Sequence, residues 1–188
     1  QNGISINALQ NCSESEIISL ATKMKHTMIS EGKWLSPEIG FAPVADGNFL
    51  PLDPLENFKD SPIKLIIGTT SDEYKLWSEF EAYYLGLTEE QFLKRLKKIF
   101  HQEKISEIYE QYLDHNFKKD KYKHALSNIM TDWIFGIHAL ELLETHKHKS
   151  FGSLFDEGSP LFNGRLGAYH ASELPYLFGS WKKEPFKS

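Results

Sequence analysis

Lys64-Leu65-Ile66-Ile67-Gly68, a short unbroken apolar run set between Pro62 and a glycine, restricts the architecture more than any other feature of the chain. Apolar residues without alternation, in a run too short for a helix, predict a strand buried on both faces, as in a parallel sheet. Phe151-Gly152-Ser153-Leu154-Phe155 is a second short strand candidate, and the stretch from Tyr74 to about His148 between them reads as helix. The predicted class is therefore α/β, mostly helical with a few sheet strands. In open α/β sheets chemistry gathers beyond the carboxyl ends of the strands. That directs attention to Thr69-Thr70-Ser71-Asp72-Glu73, which leaves the first run.

The helical stretch carries its own punctuation. Thr88 with Gln91 forms a capping box ahead of Phe92, Leu93, Leu96, Ile99 and Phe100. Further apolar stripes run through Ile105, Ile108, Tyr109 and Tyr112, then Ala125, Ile129, Trp133, Ile137 and Leu140, and the simplest reading makes them core-facing. Trp77, Phe80, Tyr83 and Tyr84 are core aromatics by the same reading, with a pocket wall as the alternative. Nearer the N-terminus, Ser13-Glu14-Ser15-Glu16 is another capping box, followed by Ile17, Leu20, Ala21, Met24 and Met28 on an amphipathic helix expected to end near Gly32. Phe41 to Pro51, with its prolines and Asp46-Gly47, predicts turns joining short extended pieces.

A chain of 188 residues with 40% hydrophobic content can bury one core, and no linker or repeat divides it, so residues 1–188 are expected to form one domain portion. The net charge of −5 shows no basic stripe, and the lysine runs at 94–98 and 118–123 are interleaved with apolar residues as on solvated helix faces. Nucleic acid is thus not an expected partner. A single cysteine, Cys12, excludes an internal disulfide, makes a cysteine-based zinc site improbable, and fits a reducing, cytoplasmic setting. No 18-residue apolar window predicts a membrane span, and no signal peptide is visible at Gln1.

Close to the C-terminus, Gly167-Ala168-Tyr169-His170-Ala171-Ser172-Glu173-Leu174-Pro175-Tyr176-Leu177-Phe178 presents a histidine in a turn just before an aromatic-rich segment. A hydrolytic triad needs such a base, and a carboxylate that fixes its tautomer and stabilises the imidazolium. His170 reads as a candidate for the base. Nothing in the 188 residues supplies a G-x-S-x-G nucleophile elbow: Ser153, Ser159 and Ser180 each follow a glycine directly, and no Gly-Gly pair offers an oxyanion loop. The His146-Lys147-His148 pattern invites a metal reading, but no H-E-x-x-H accompanies it, and these residues fit a helix C-terminus better. Neither a metal nor another cofactor is expected.

The segment around His170 resembles the G-x-x-H-x-x-E-[LI]-P-[FY]-x-F signature of type B carboxylesterases, the family of α/β-hydrolases that includes the cholinesterases. Gly68-x-x-x-Asp72-Glu73 after an apolar strand, and Phe41-x-Pro43-Val44-x-Asp46-Gly47-x-Phe49-Leu50-Pro51, resemble two further family segments in the family's order. Thr131 to Phe135 resembles a helix preceding the last strands. Tyr74 departs from the pattern, which usually has glycine there. The resemblance implies the C-terminal part of an α/β-hydrolase fold, with His170 as the base, Glu73 as the triad acid and Glu173 as a structural partner. It implies hydrolysis of a small-molecule carboxylic ester through an acyl-enzyme, with the nucleophile-bearing N-terminal portion absent from this sequence.

The chain alone is therefore expected to be inactive, and to work as a serine carboxylesterase only with the missing N-terminal half. One alternative is a truncated, catalytically inert esterase-like protein that binds a ligand or partner. Another is an unrelated helical interaction domain, which would hold His170 and Glu73 far apart.

Overall fold

The structure, a computed structural model, describes residues 6–30, 43–81, 84–114 and 120–180. It divides into two compact units, Gln1–Leu50 and Pro51–Ser188. In the first, helices α1 (Ile6–Leu9) and α2 (Glu14–Ser30) are followed by a turn. The Ser13 backbone N–H donates to Glu16 Oε2 (2.8 Å), and the Glu16 N–H donates to Ser13 Oγ (3.4 Å), so the capping box forms. The expected end near Gly32 lies outside the described residues. Asp46 Oδ1 accepts from the backbone N–H groups of Asn48, Phe49 and Leu50, which closes a turn around Gly47.

The second unit begins with α3 (Pro54–Phe58), capped by Asp53, whose Oδ1 accepts from the Glu56 N–H (3.0 Å). Strand β1 (Leu65–Thr70) follows, then α4 (Lys75–Phe80), α5 (Glu89–Ile99), α6 (Ile105–Tyr112), α7 (Lys121–Thr131), α8 (Ile137–Thr145), β2 (Ser150–Phe155) and α9 (Leu174–Leu177). β1 and β2 pair in parallel, with Ile66 opposite Phe151 and Thr70 opposite Phe155. A parallel neighbour requires a long crossover, and here α4 to α8 provide it.

The core of this unit lies among those crossover helices. Tyr74, Phe92, Leu96, Ile129 and Met130 are each at most 2% exposed and belong to one cluster with Tyr84, Ile105 and Leu126. The capping box at Thr88 and Gln91 is complete: Thr88 Oγ1 accepts from the Gln91 N–H and Gln91 Oε1 from the Thr88 N–H. α5 thereby presents Phe92 and Leu96 to the core in a fixed register. Thr88→Ala is expected to cost about 1 kcal/mol in a denaturant melt, and an unchanged midpoint would show that packing alone sets this helix end.

Two expectations need correction. β1 is not buried on both faces: Ile66 is 80% exposed and its register partner Phe151 is 50% exposed. Alternating side chains face opposite sides of a strand. α8 packs on the side of Ile67 and Gly152, whereas the described residues leave Ile66 and Phe151 largely uncovered on the other. The second correction concerns the stripe Ala125, Ile129, Trp133, Ile137 and Leu140. Its first two members are buried, but Ile137 and Leu140 are exposed. Between them, residues Asp132–Gly136 form a π-helical turn. One extra residue in a turn rotates all that follows by about 100°, so spacing counted for an unbroken α-helix misplaces the later members.

The expected core aromatics also separate. Tyr84 is buried, Trp77 is partly buried, Phe80 is half-exposed and packs against Phe162, and Tyr83 lies outside the described residues. No described helix is long and apolar enough to cross a membrane.

Candidate active site

The site starts where β1 ends. The Ser71 N–H donates to the Phe155 carbonyl (2.9 Å) and its Oγ donates to Asp156 Oδ1 (2.5 Å), so the two strand exits stay together. The chain then turns into α4, and the Glu73 side chain folds back under the strand end, where its Oε1 accepts from the Thr70 N–H (2.8 Å). Glu73 is 5% exposed. The Tyr74 N–H donates to Thr131 Oγ1 (3.0 Å), which ties this turn to the end of α7. Tyr74 has φ −83° and ψ −7°, a right-handed conformation open to any residue, so the family's usual glycine is not needed for the backbone. Its ring fills the core and its hydroxyl meets that of Tyr84 at 2.7 Å.

His170 arrives on the loop after β2, in a tight turn closed by the Ser172 N–H donating to the Tyr169 carbonyl (2.9 Å). Ala171 takes φ 65° at the third position of that turn. A left-handed alanine costs roughly 1–2 kcal/mol, and such strain concentrates at ligand clamps and reactive sites. The turn brings His170 Nδ1 to 2.6 Å from Glu73 Oε2. Since Glu73 Oε1 already accepts from Thr70, the second oxygen is free to accept from Nδ1–H. That hydrogen bond selects the tautomer in which Nε2 carries the lone pair.

Two aromatic rings flank the imidazole. Trp77 lies 5.2 Å from it and Phe135 lies 5.3 Å from it, centroid to centroid, and the two rings stand nearly parallel to each other. Packed beside the imidazole, the two rings restrict its orientation. The His170 side chain is 44% exposed. It opens on a cavity of about 540 Å³ lined by Glu73, Ile134, Phe135, His138, His170 and Leu174, among others.

Glu173 also lines that cavity, yet its Oε2 is buried without a hydrogen-bond partner among the described residues. Asp72, the neighbour of Glu73, faces away from the imidazole and accepts instead from the Ala168 N–H (3.0 Å). His146 caps the end of α8, with Nδ1 2.6 Å from Ser150 Oγ and Nε2 3.0 Å from the Ser61 carbonyl, and it stacks on Phe58. That is a structural junction. Among the described residues, no group of three or more His, Cys, Asp or Glu side chains is arranged to hold a metal ion.

Sequence reasoning missed the roles of Trp77 and Phe135. Trp77 had a signal in its position four residues after Glu73, one turn into the next helix. Phe135 had none, because its direction depends on the π-helical turn. Glu79 was also missed: it is buried between Lys123 Nζ (2.6 Å) and Arg165 (2.9 Å), linking α4 to α7 and to the loop that carries His170.

A parallel pair of strands joined by a helical crossover, with an acid at the exit of one strand and a histidine on the loop after the other, defines part of an α/β-hydrolase. The model of the Carboxylesterase family matches residues 4–187, and the chain belongs to that family. It is 28% identical over 173 residues to phenmedipham hydrolase of Pseudarthrobacter oxydans, a match covering 89% of this chain and 33% of that protein. It is 24% identical over 160 residues to human bile salt-activated lipase, covering 75% of this chain and 21% of the relative. For the mouse bile salt-activated lipase the identity is 26%, covering 75% of this chain and 27% of the relative. The chain thus spans a third or less of the length of these curated relatives.

Proposed function

We propose that this chain is the C-terminal portion of a serine carboxylesterase and contributes the base and the acid of its triad. The observation that carries the reading is the 2.6 Å contact between His170 Nδ1 and the buried Glu73 carboxylate. A serine from a partner segment attacks the carbonyl of a small-molecule ester, His170 Nε2 takes the hydroxyl proton, and the resulting imidazolium gives it to the leaving alcohol. Water then repeats the cycle on the acyl-enzyme. Glu73 holds the imidazole in the competent tautomer throughout and balances its positive charge. Trp77 and Phe135 pack beside the ring and limit its rotation. This chemistry calls for no metal or organic cofactor. The membership of the family and the relatives named hydrolase and lipase support the reaction class.

The 188 residues contain no G-x-S-x-G elbow, so the nucleophile and the oxyanion donors come from an N-terminal portion, in a longer polypeptide or a separate chain. The isolated chain is expected neither to hydrolyse p-nitrophenyl acetate above background nor to be labelled by a fluorophosphonate serine probe. Joined to a serine-bearing segment, it should show probe labelling on that segment's serine, and His170→Ala should abolish it. Hydrolysis by the isolated chain, or undiminished labelling in the His170→Ala form, would refute the proposal.

A further inference from the structure

Asp72 holds the histidine loop with two of its hydrogen bonds. Its N–H donates to the Ala168 carbonyl (3.0 Å), and its Oδ2 accepts from the Ala168 N–H (3.0 Å). Its Oδ1 pairs with Lys75 Nζ at 2.7 Å, in a contact whose two side chains are only 20% and 23% exposed, so the carboxylate is fixed in one orientation. The receiving loop is shaped to match. Gly167 has φ 58°, and a Cβ built on it would lie 2.0 Å from Asp72 Oδ2 and 2.8 Å from Asp72 Cγ. Only glycine allows both the backbone conformation and the close approach. Ala168, the residue gripped, is 1% exposed.

We propose that Asp72, read by Gly167, is a positioning residue that sets where His170 meets Glu73. The inference rests on the pairing of His170 with Glu73 described above. Asp72 directly precedes Glu73, and Ala168 lies two residues before His170, so the clamp and the acid–base pair share one short, closed segment of structure. Two hydrogen bonds to one residue, one at its N–H and one at its carbonyl, fix the peptide units on both sides of Ala168. The tight turn at Tyr169–Ser172 then carries that placement to the imidazole. Loss of the clamp leaves Glu73 anchored by Thr70 but lets the histidine turn drift, and a displacement of about 1 Å is enough to spoil such a contact.

The test follows the His170 Nδ1–H proton by nuclear magnetic resonance in the 188-residue chain labelled with nitrogen-15 at histidine. His146, whose Nε2–H donates to the Ser61 carbonyl well outside the clamp, serves as the internal reference for folding. Glu73→Gln is expected to weaken the His170 signal strongly. Asp72→Ala is expected to lose it, or to raise its solvent exchange at least tenfold, with the His146 signal intact. Asp72→Asn, whose amide oxygen still accepts from Ala168, should retain most of it. Gly167→Ala should mimic Asp72→Ala, and on top of it should add only the strain of a left-handed alanine, because the carboxylate it collides with is then gone.

If Asp72→Ala unfolds the chain, the His146 signal disappears as well, and Gly167→Ala and Asp72→Asn decide the question. Unchanged His170 exchange in Asp72→Ala and Gly167→Ala, with loss in Glu73→Gln, overturns the clamp and leaves the acid–base pair standing. Unchanged exchange in Glu73→Gln overturns the pairing and the clamp together.

Discussion

In the serine-completed enzyme, His170→Ala is expected to lower kcat by about 10⁶-fold, and Glu73→Gln by about 10⁴-fold with KM nearly unchanged. The two effects differ because the two groups do different work. Without the imidazole nothing accepts the serine proton, and the hydroxyl remains a weak nucleophile. With Glu73→Gln the imidazole stays, but an amide can present its N–H to Nδ1 and so favours the tautomer with the proton on Nε2, where it blocks attack. The geometry makes the second prediction sharp, since the Glu73 carboxylate also accepts from the Thr70 N–H and cannot be replaced by a neighbouring acid without moving the strand end. Steady-state kinetics on an activated ester would check both. A Glu73→Gln enzyme within tenfold of the parent would remove the acid from the mechanism.

The second large effect concerns stability. Lys123 and Glu79 form an ion pair with side chains 7% and 5% exposed, and Arg165, 60% exposed, reaches the same carboxylate. Burial alone pushes the Glu79 carboxyl up, but Lys123 and Arg165 outweigh it and hold the group below the usual carboxylate range. Lys123→Met is expected to cost about 3 kcal/mol, at the lower end for a broken buried pair because Arg165 still faces the charge. At 2–4 °C per kcal/mol for a chain of this size, the melting temperature should fall by roughly 6–12 °C.

Replacing both partners, as in Glu79→Leu with Lys123→Met, is expected to recover most of that loss, since no buried charge is stranded. Because the folded-state pKa of Glu79 is depressed, its contribution is complete above the unfolded carboxylate value of about 4.3 and fades as pH falls through the lower folded value. Thermal melts of the three proteins at neutral and acid pH measure these terms. A Lys123→Met protein as stable as its parent would show that the pair is offset by desolvation. The pair also bears on the site, since Arg165 belongs to the loop that delivers His170.

Much of the secondary structure was legible because its signals are local. The Thr88 and Ser13 caps rest on contacts between residues three positions apart, and the two strands are marked by short apolar runs even though their pairing joins residues 85 positions apart. Phase was legible only until the chain departed from ideal helix geometry. The π-helical turn at Asp132–Gly136 carried Ile137 and Leu140 into solvent and aimed Phe135 at the imidazole. The exposure of Ile66 on β1 has a different origin: a continuous apolar run states what a strand tolerates on both faces, and strands too few to complete a sheet leave one face uncovered among the described residues.

For the candidate site the division is similar. The type and order of the groups, an acid leaving one strand and a histidine after the other, stood in the sequence, and so did the absence of a G-x-S-x-G elbow. The choice of Glu73 over Asp72 came from the resemblance to the family pattern and not from the local residues, because adjacent residues in a turn point in directions that only the surrounding contacts fix. One binds Ala168 and Lys75, and the other binds Thr70 and His170. The amino-acid order by itself determined which chemical groups this protein carries and which short elements present them. Only tertiary structure decided that two groups far apart in the chain meet, because a hydrogen bond tolerates errors of a few tenths of an ångström, and the parallel pairing and the loop contacts bring the two exits within that tolerance.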